Sequence, residues 1–538
     1  MPSPLPDRSE SQSNGSVPAT PSSRDRANDQ GLKDQDSENQ GLKDQDSENQ
    51  GLKGQASEDR ASTDRAWKTL RSHFLPRWIG IATLILLIAS SLRHLMLMST
   101  AFDLGIYDQV AYLMSRGMAP ISSFLGFHHM GNHTAYTFYL MAIPYAIYPS
   151  VYWLLGIQAL CLALGAWPTW LLARQAGLSP ALSSAMAAVY LLHPLIFNVN
   201  MFDFHPEVMG IWALLLSIWL ARENRKLGFV IALLFVLGCR DGLSVVIAPM
   251  GLWLLLFEKR RFCGIFALVA GVAWFLLATQ WIIPTLSGTE AAAVGRYEAL
   301  GGDSVLEVAI NLFLKPGIVL SKVFALRAWQ YYALLLLPFI WGLSPRHLAP
   351  LLSILPLVLL NVLSKNNAQR DLVHQYSLPM LPFLLTAVID ALAHGRGFIQ
   401  QRRWIVVWAI VMFVALAKYG RYYPEYAQNL DTWQASREAM ALIPRHEGGV
   451  ITDNWHGAHL SQRSQITLLR GNRTFQADLP QSDYVLINLR NPWKGDDELV
   501  NRMFARFKRR PDLQIAYERD GVYLFTRRSQ PPATGAKP

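Results

Sequence analysis

The feature that most constrains this chain is where its charges are missing. Of its 88 Asp, Glu, Lys and Arg residues, 21 lie in residues 1–65 and 30 in residues 421–538, leaving 37 for residues 66–420. That central stretch is about a tenth charged and is built of long apolar runs. Soluble domains carry roughly 25% charged residues, so this composition marks a membrane-embedded body. It excludes a soluble enzyme and an ordinary nucleic-acid binder. The formal charge of +10 sits in short clusters between apolar runs. Membrane topology explains such clusters better than a polyanionic partner does. Cys161, Cys239 and Cys263 all fall in apolar segments, which argues against a disulfide framework or a cysteine zinc site. The first long apolar run begins near Trp78, so no cleavable signal peptide is expected.

Residues 1–65 lack aromatic residues and isoleucine, and repeat the unit GLKDQDSENQ at 31–40 and 41–50, decaying to GLKGQASEDR at 51–60. One leucine per unit cannot build a core, so a disordered tail is expected. Eleven apolar runs follow, near 78–97, 150–172, 181–199, 208–221, 229–239, 244–257, 262–284, 331–344, 348–364, 376–394 and 404–420. Residues 134–149 add a juxtamembrane or re-entrant segment. Lys68, Arg71 and Arg77 put the N-terminus in the cytoplasm. Basic clusters flank 229–257 on both sides, so a single pass would strand one of them outside. A hairpin turning at Arg240–Asp241–Gly242 resolves this. The expectation is about eleven transmembrane helices in the cell membrane, N-terminus in and C-terminus out.

With that topology the polar residues gather outside. The first outer loop carries Arg93, Asp103, Tyr107, Asp108, His128, His129 and His133, and the second carries Asp203, His205 and Glu207 in FDFHPE. The hairpin tip gives Arg240 and Asp241, and loop 285–330 gives Arg296, Tyr297 and Glu298. The last loop supplies Arg370, Asp371, His374 and Tyr376. Ionisable groups at membrane depth are costly unless they pair or line a cavity, so a site is expected there. Two plainer readings stand beside it: interfacial anchors at span ends, and an Arg240–Asp241 salt bridge closing the hairpin. Asp203, His205 and Glu207 alternate as metal ligands on an extended segment do, with His133 able to complete a set. The pattern fixes no metal; a divalent ion is neither required nor excluded.

FDLGIYDQVAYLMSRG, residues 102–117, resembles the start of the first outer loop in membrane glycosyltransferases of the GT-C fold. The shared pattern is an acidic residue, a Tyr four on, a small residue eight on, and a Gly ending the helix. Asp103, Tyr107, Ala111 and Gly117 match it, while Leu104 stands where a Glu is usual. RHLMLMSTAFDLGIYDQ, GNHTAYTFYLMAIPYAIYP, FDFHPE, CRDGL and NVLSKNNAQRDLVHQYSLPMLPF, spanning about 93–382, resemble a family of bacterial membrane proteins called domain of unknown function 2079. The resemblance implies a glycosyltransferase relationship with a polyprenyl-phosphate-linked sugar as donor and an extracytoplasmic glycan, lipid or protein as acceptor. Asp103 would be the general base. Arg240, with Arg93 or Arg370, would hold the lipid phosphate. His133, His205 and Glu207 would shape the sugar or acceptor pocket, with Tyr107, Asp108, Asp203, Asp241, His374 and Tyr376 around them.

Residues 421–530 return to soluble composition. Strand-like runs occur at GGVITD, QITLLRG, DYVLINL, LQIAYE and VYLFTRR, with a hairpin at Arg519–Asp520–Gly521. Leu499, Val500, Met503, Phe504 and Phe507 share one helical face. A small extracytoplasmic α/β domain is expected, followed by a disordered end at 531–538. The rival class for the whole chain is a transporter or non-catalytic membrane scaffold. A transporter would place its ionisable residues near mid-span.

Overall fold

A chain in hydrocarbon must satisfy its own backbone N–H and C=O groups, and apolar runs of this length do so as helices. A computed structural model describes residues 75–289, 294–470, 478–493 and 495–528; the decapeptide repeats and 531–538 lie outside them. Each of the eleven apolar runs contains helix. Five helices are long and apolar enough to cross a membrane: Leu75–Leu95, Tyr152–Gln175, Pro180–Asn200, Arg261–Ser287 and Gln375–Ala393. Lys226–Leu237, Asp241–Leu256 and Ala349–Leu363 are shorter apolar helices.

The segment 226–256 doubles back. Arg222, before its first helix, pairs with Glu258, after its second, at 2.7 Å, and Arg260 donates to the Arg222 carbonyl. Both flanking basic clusters therefore lie at one end, as the hairpin reading requires. Arg222 also holds Asp390 through both carboxylate oxygens. Loop 285–330 differs from its reading as a plain loop, for it contains helices Val305–Leu314 and Pro316–Val323. Ser304 caps the first by accepting from the Glu307 N–H. Its Val308 is buried, whereas Leu306, Phe313 and Leu314 face outward. An apolar exterior of this kind suits lipid contact.

At the other end sits the C-terminal domain. Strands β1 (Ile121–Ser122) and β2 (Phe127–His128) form a small ribbon in the segment between the first two long helices. The domain's sheet comprises β3 (Val450–Thr452), β4 (Ile466–Leu468), β5 (Tyr484–Asn488), β6 (Leu513–Arg519) and β7 (Val522–Arg527), in the order β4-β3-β5-β7-β6. β3 pairs parallel with β4 and β5, and β7 pairs antiparallel with β5 and β6. Asp520 and Gly521 both have positive φ, the geometry of a tight two-residue hairpin. Side chains alternate between two cores. Val485 and Ile487 meet Val500, Met503 and Phe507 of helix Asp497–Lys508 on one face. Leu486 and Val450 face the other way, where Ala101, Ile106 and Phe124 complete the core. The domain and the segment after the first long helix are thus one folded layer.

Candidate active site at the domain-bearing end

Asp103 lies in a widened helical turn, Ala101–Gly105, just before helix Ile106–Ser115. Its Oδ1 is 3.1 Å from Nε2 of His205. The Nδ1 of His205 is 3.2 Å from the Asp203 carbonyl, which can only accept. Filling both contacts needs two N–H groups, which is the imidazolium. Burial opposes that charge, but Asp103 outweighs it and raises the His205 pKa above the usual value. Burial likewise pushes the Asp103 carboxyl up, yet His205, with Arg240 and Arg93 beyond, holds it below the carboxylate range. The pair is an ionised one, and Asp103 stays about a third exposed.

Asp203 points elsewhere. Arg93 holds both its oxygens, at 2.6 and 3.0 Å, and Thr100 donates to it through Oγ1 and the backbone. Both partners are buried, and Tyr422 stacks on the guanidinium. Arg93 is thus engaged by Asp203 and is not free for a lipid phosphate. Glu207 makes a third separate pair, with Arg240. Pro206 opens a tight helical turn that carries Glu207 off the extended line of Asp203 and His205. The three acidic and imidazole groups of FDFHPE therefore serve three partners. No cluster of three His, Cys, Asp or Glu suited to a metal ion occurs among the described residues.

Arg240 also donates to Nε2 of His133 at 3.1 Å. The His133 proton therefore sits on Nδ1, 3.5 Å from Asp241. Burial and Arg240 both lower the His133 pKa, so this ring is neutral where His205 is charged. Glu207, Arg240, His133 and Asp241 close the polar end of a cavity of about 240 Å³. Its flanks are apolar, with Leu243, Phe275, Ile283, Val308, Leu312 and Leu360 among them. Arg296 and Tyr376 also line it, the guanidinium 5.3 Å over the ring. Among the described residues no acidic group pairs with Arg296.

Other expected site residues lie outside this cavity. Tyr107 is buried against Phe138 and Phe204, and burial raises its pKa. Asp108 faces the C-terminal domain instead, accepting from Tyr145 (2.7 Å), Ser461 (2.6 Å) and Gln462 (3.0 Å). Burial raises its pKa in spite of those donors. Arg370 also points away from the cavity. It donates to the Asn361 and Ser364 carbonyls and to Asn367, satisfying the end of helix Leu355–Leu363. His374 pairs with Asp371 at 2.8 Å and sets its edge on Phe202, which also stacks on the His205 ring. Sequence reasoning did not single out Phe202, Asn361 or Gln375 as site residues. Gln375 and Asn361 do line the cavity, but an amide at the end of an apolar run is an ordinary residue there.

Residues 93–524 match the family model described as predicted membrane protein (DUF2079). The chain belongs to that family. No curated protein matches this DUF2079 chain. It is similar to the crystal structure of ArnT from Cupriavidus metallidurans bound to undecaprenyl phosphate, at 10% identity and a TM-score of 0.49, covering 84% of this chain and 97% of that one. It is also similar to the Archaeoglobus fulgidus oligosaccharyltransferase tethered with an acceptor peptide, at 13% identity and a TM-score of 0.37, covering 80% of this chain and 72% of that one.

Proposed function

We propose that this chain is a GT-C-type inverting glycosyltransferase. It moves a sugar from a polyprenyl-phosphate-linked donor to a glycan, lipid or protein acceptor on the extracytoplasmic face of the cell membrane. One observation carries the reading: a cavity apolar along its flanks ends in a charged cluster, and Asp103, paired with His205, lies within electrostatic reach of Arg240 in that cluster. An isoprenoid phosphate has that same division. Arg296 has no anionic partner among the described residues, and guanidinium suits a phosphate better than any other side chain. Arg240, fixed by Glu207, adds positive potential at the same end.

In the reaction the acceptor hydroxyl oxygen attacks the anomeric carbon while the bond from that carbon to the phosphate oxygen breaks. The hydroxyl proton passes to Asp103, and polyprenyl phosphate leaves with the electron pair. Asp103 is ionised at neutral pH and can take that proton because the attacking oxygen grows more acidic as its bond forms. His205 keeps the carboxylate aimed and charged. This revises the resemblance in one respect: Arg296, rather than Arg93 or Arg370, is the phosphate-facing cation, with Arg240 held behind it by Glu207 and His133.

Mass spectrometry of lipids co-purifying with the protein tests the donor class, with a polyprenyl-phosphate adduct expected. Transfer assayed with that lipid should fail in Asp103→Asn protein that remains folded. Solute flux in proteoliposomes without consumption of donor lipid would instead establish the transporter reading.

A further inference from the structure

The polar end of the cavity carries more acceptors than a phosphate can use. Among the described residues, Oε2 of Glu207, Oε1 of Gln369 and Oε1 of Gln375 are buried without a hydrogen-bond donor, and all three residues line this one cavity. Each residue is only 4% exposed. Among the described residues Asp241 Oδ1 meets only the long His133 approach, at 3.5 Å. A buried acceptor without a donor is costly, so a group of them in one cavity implies donors brought by a ligand.

The orientation of Gln369 follows from its neighbours. Asn361 gives its amide N–H to the Tyr376 carbonyl at 3.4 Å and to the Tyr331 hydroxyl at 3.0 Å. A backbone carbonyl only accepts, so the Asn361 oxygen is the atom left to face Gln369. Gln369 gives its N–H to that oxygen at 3.2 Å, which leaves Oε1 as the acceptor. Gln375 has no side-chain hydrogen bond to any described residue and so presents its whole amide. Phosphate oxygens cannot satisfy such a set, because they accept and carry the same sign as Glu207 and Asp241.

We infer that Gln369, Gln375 and Glu207 read the hydroxyl or amine donors of a sugar head group, so that the site selects the sugar-bearing lipid over the bare lipid phosphate. This rests on the glycosyltransferase reading and adds to it which residues set specificity. It also implies that spent carrier binds weakly and leaves after transfer.

The test measures binding of citronellyl phosphate and of its glucose, mannose, galactose and N-acetylglucosamine esters to the full-length protein in detergent. At least one ester should bind on the order of tenfold more tightly than citronellyl phosphate. Gln369→Leu and Gln375→Leu should each shrink that ratio severalfold and leave the affinity for citronellyl phosphate unchanged. If Gln369→Leu fails to fold because Asn361 loses its partner, Gln375→Leu carries the comparison alone. Citronellyl phosphate binding as tightly as every ester overturns the inference while leaving the lipid-phosphate reading standing, and so does a ratio that survives in the folded variants. Failure of all five compounds to bind overturns both.

Discussion

Asp103 and His205 respond to pH from opposite sides. The folded state depresses the Asp103 pKa, so its stabilisation is present at neutral pH and is lost as pH falls through that depressed value. The His205 pKa is raised, so its contribution is complete below the ordinary imidazole range and is lost as pH rises through the raised value. Transfer activity should therefore show an alkaline limb above the usual histidine range, and His205→Asn should abolish that limb while lowering the rate. A limb unchanged in the variant would assign it to another group. Arg93 and Asp203 make a different prediction. Removing one member leaves a buried charge, so Arg93→Ala should cost about 3–5 kcal/mol in thermal unfolding. The double variant Arg93→Met, Asp203→Leu should recover most of that loss. FDFHPE advertised a site in the sequence, yet not its partition. The alternation at 203, 205 and 207 looks like one constellation, and only the turn begun at Pro206 sends Glu207 to a partner of its own.

Helices were the most legible elements, because an apolar run in lipid has few other ways to satisfy its backbone. The fold-back of 226–256 was readable too, since the basic clusters at its ends had to share a side. How helices pack was not readable. Ser244–Leu256 and Arg261–Leu277 touch backbone to backbone: a Cβ on Gly251 would sit 2.4 Å from the Leu268 nitrogen, and one on Gly271 would sit 2.7 Å from the Ala248 nitrogen. Small residues permit that approach, but nothing in their spacing names the partner helix. A Cβ on Gly264 would lie 2.9 Å from the Gly251 carbonyl and 2.5 Å from Leu255. Gly264→Ala should therefore destabilise by about 1–3 kcal/mol, the usual cost of overpacking, read as a lower Tm in detergent. Because Val245 and Phe275 on these two helices line the cavity, the variant should also weaken ligand binding. Ligand affinity held at the original level would show that the two helices separate without moving the cavity wall.

At the scale of the molecule, composition separated the C-terminal domain from the membrane body, but the two share structure that composition hides. Ala101, Ile106 and Phe124 complete a core with Val450, Leu486 and Leu524 across more than three hundred residues of chain, a contact no local pattern encodes. The sorting of charge was legible. Arg222, Glu258 and Asp390 meet at one end, whereas the pairs around Asp103, Asp203 and Glu207 meet at the other. The basic clusters make the Arg222 end the expected cytoplasmic one, and the proposed lipid-linked donor requires the Asp103 end to face outward. Lys226 and Lys508 are both exposed and lie at opposite ends of this division. Lys508→Cys should react with a membrane-impermeant maleimide on intact cells, and Lys226→Cys should react only after permeabilisation. The native cysteines lie within or beside apolar helices, two of them buried, and provide the background control. The reverse pattern would turn the molecule over and place Asp103 in the cytoplasm, against an extracytoplasmic acceptor. Equal labelling of both would mean an even number of crossings between them, which the contact of Arg222 with Glu258 makes hard to reconcile with any path except a missed crossing after Arg261.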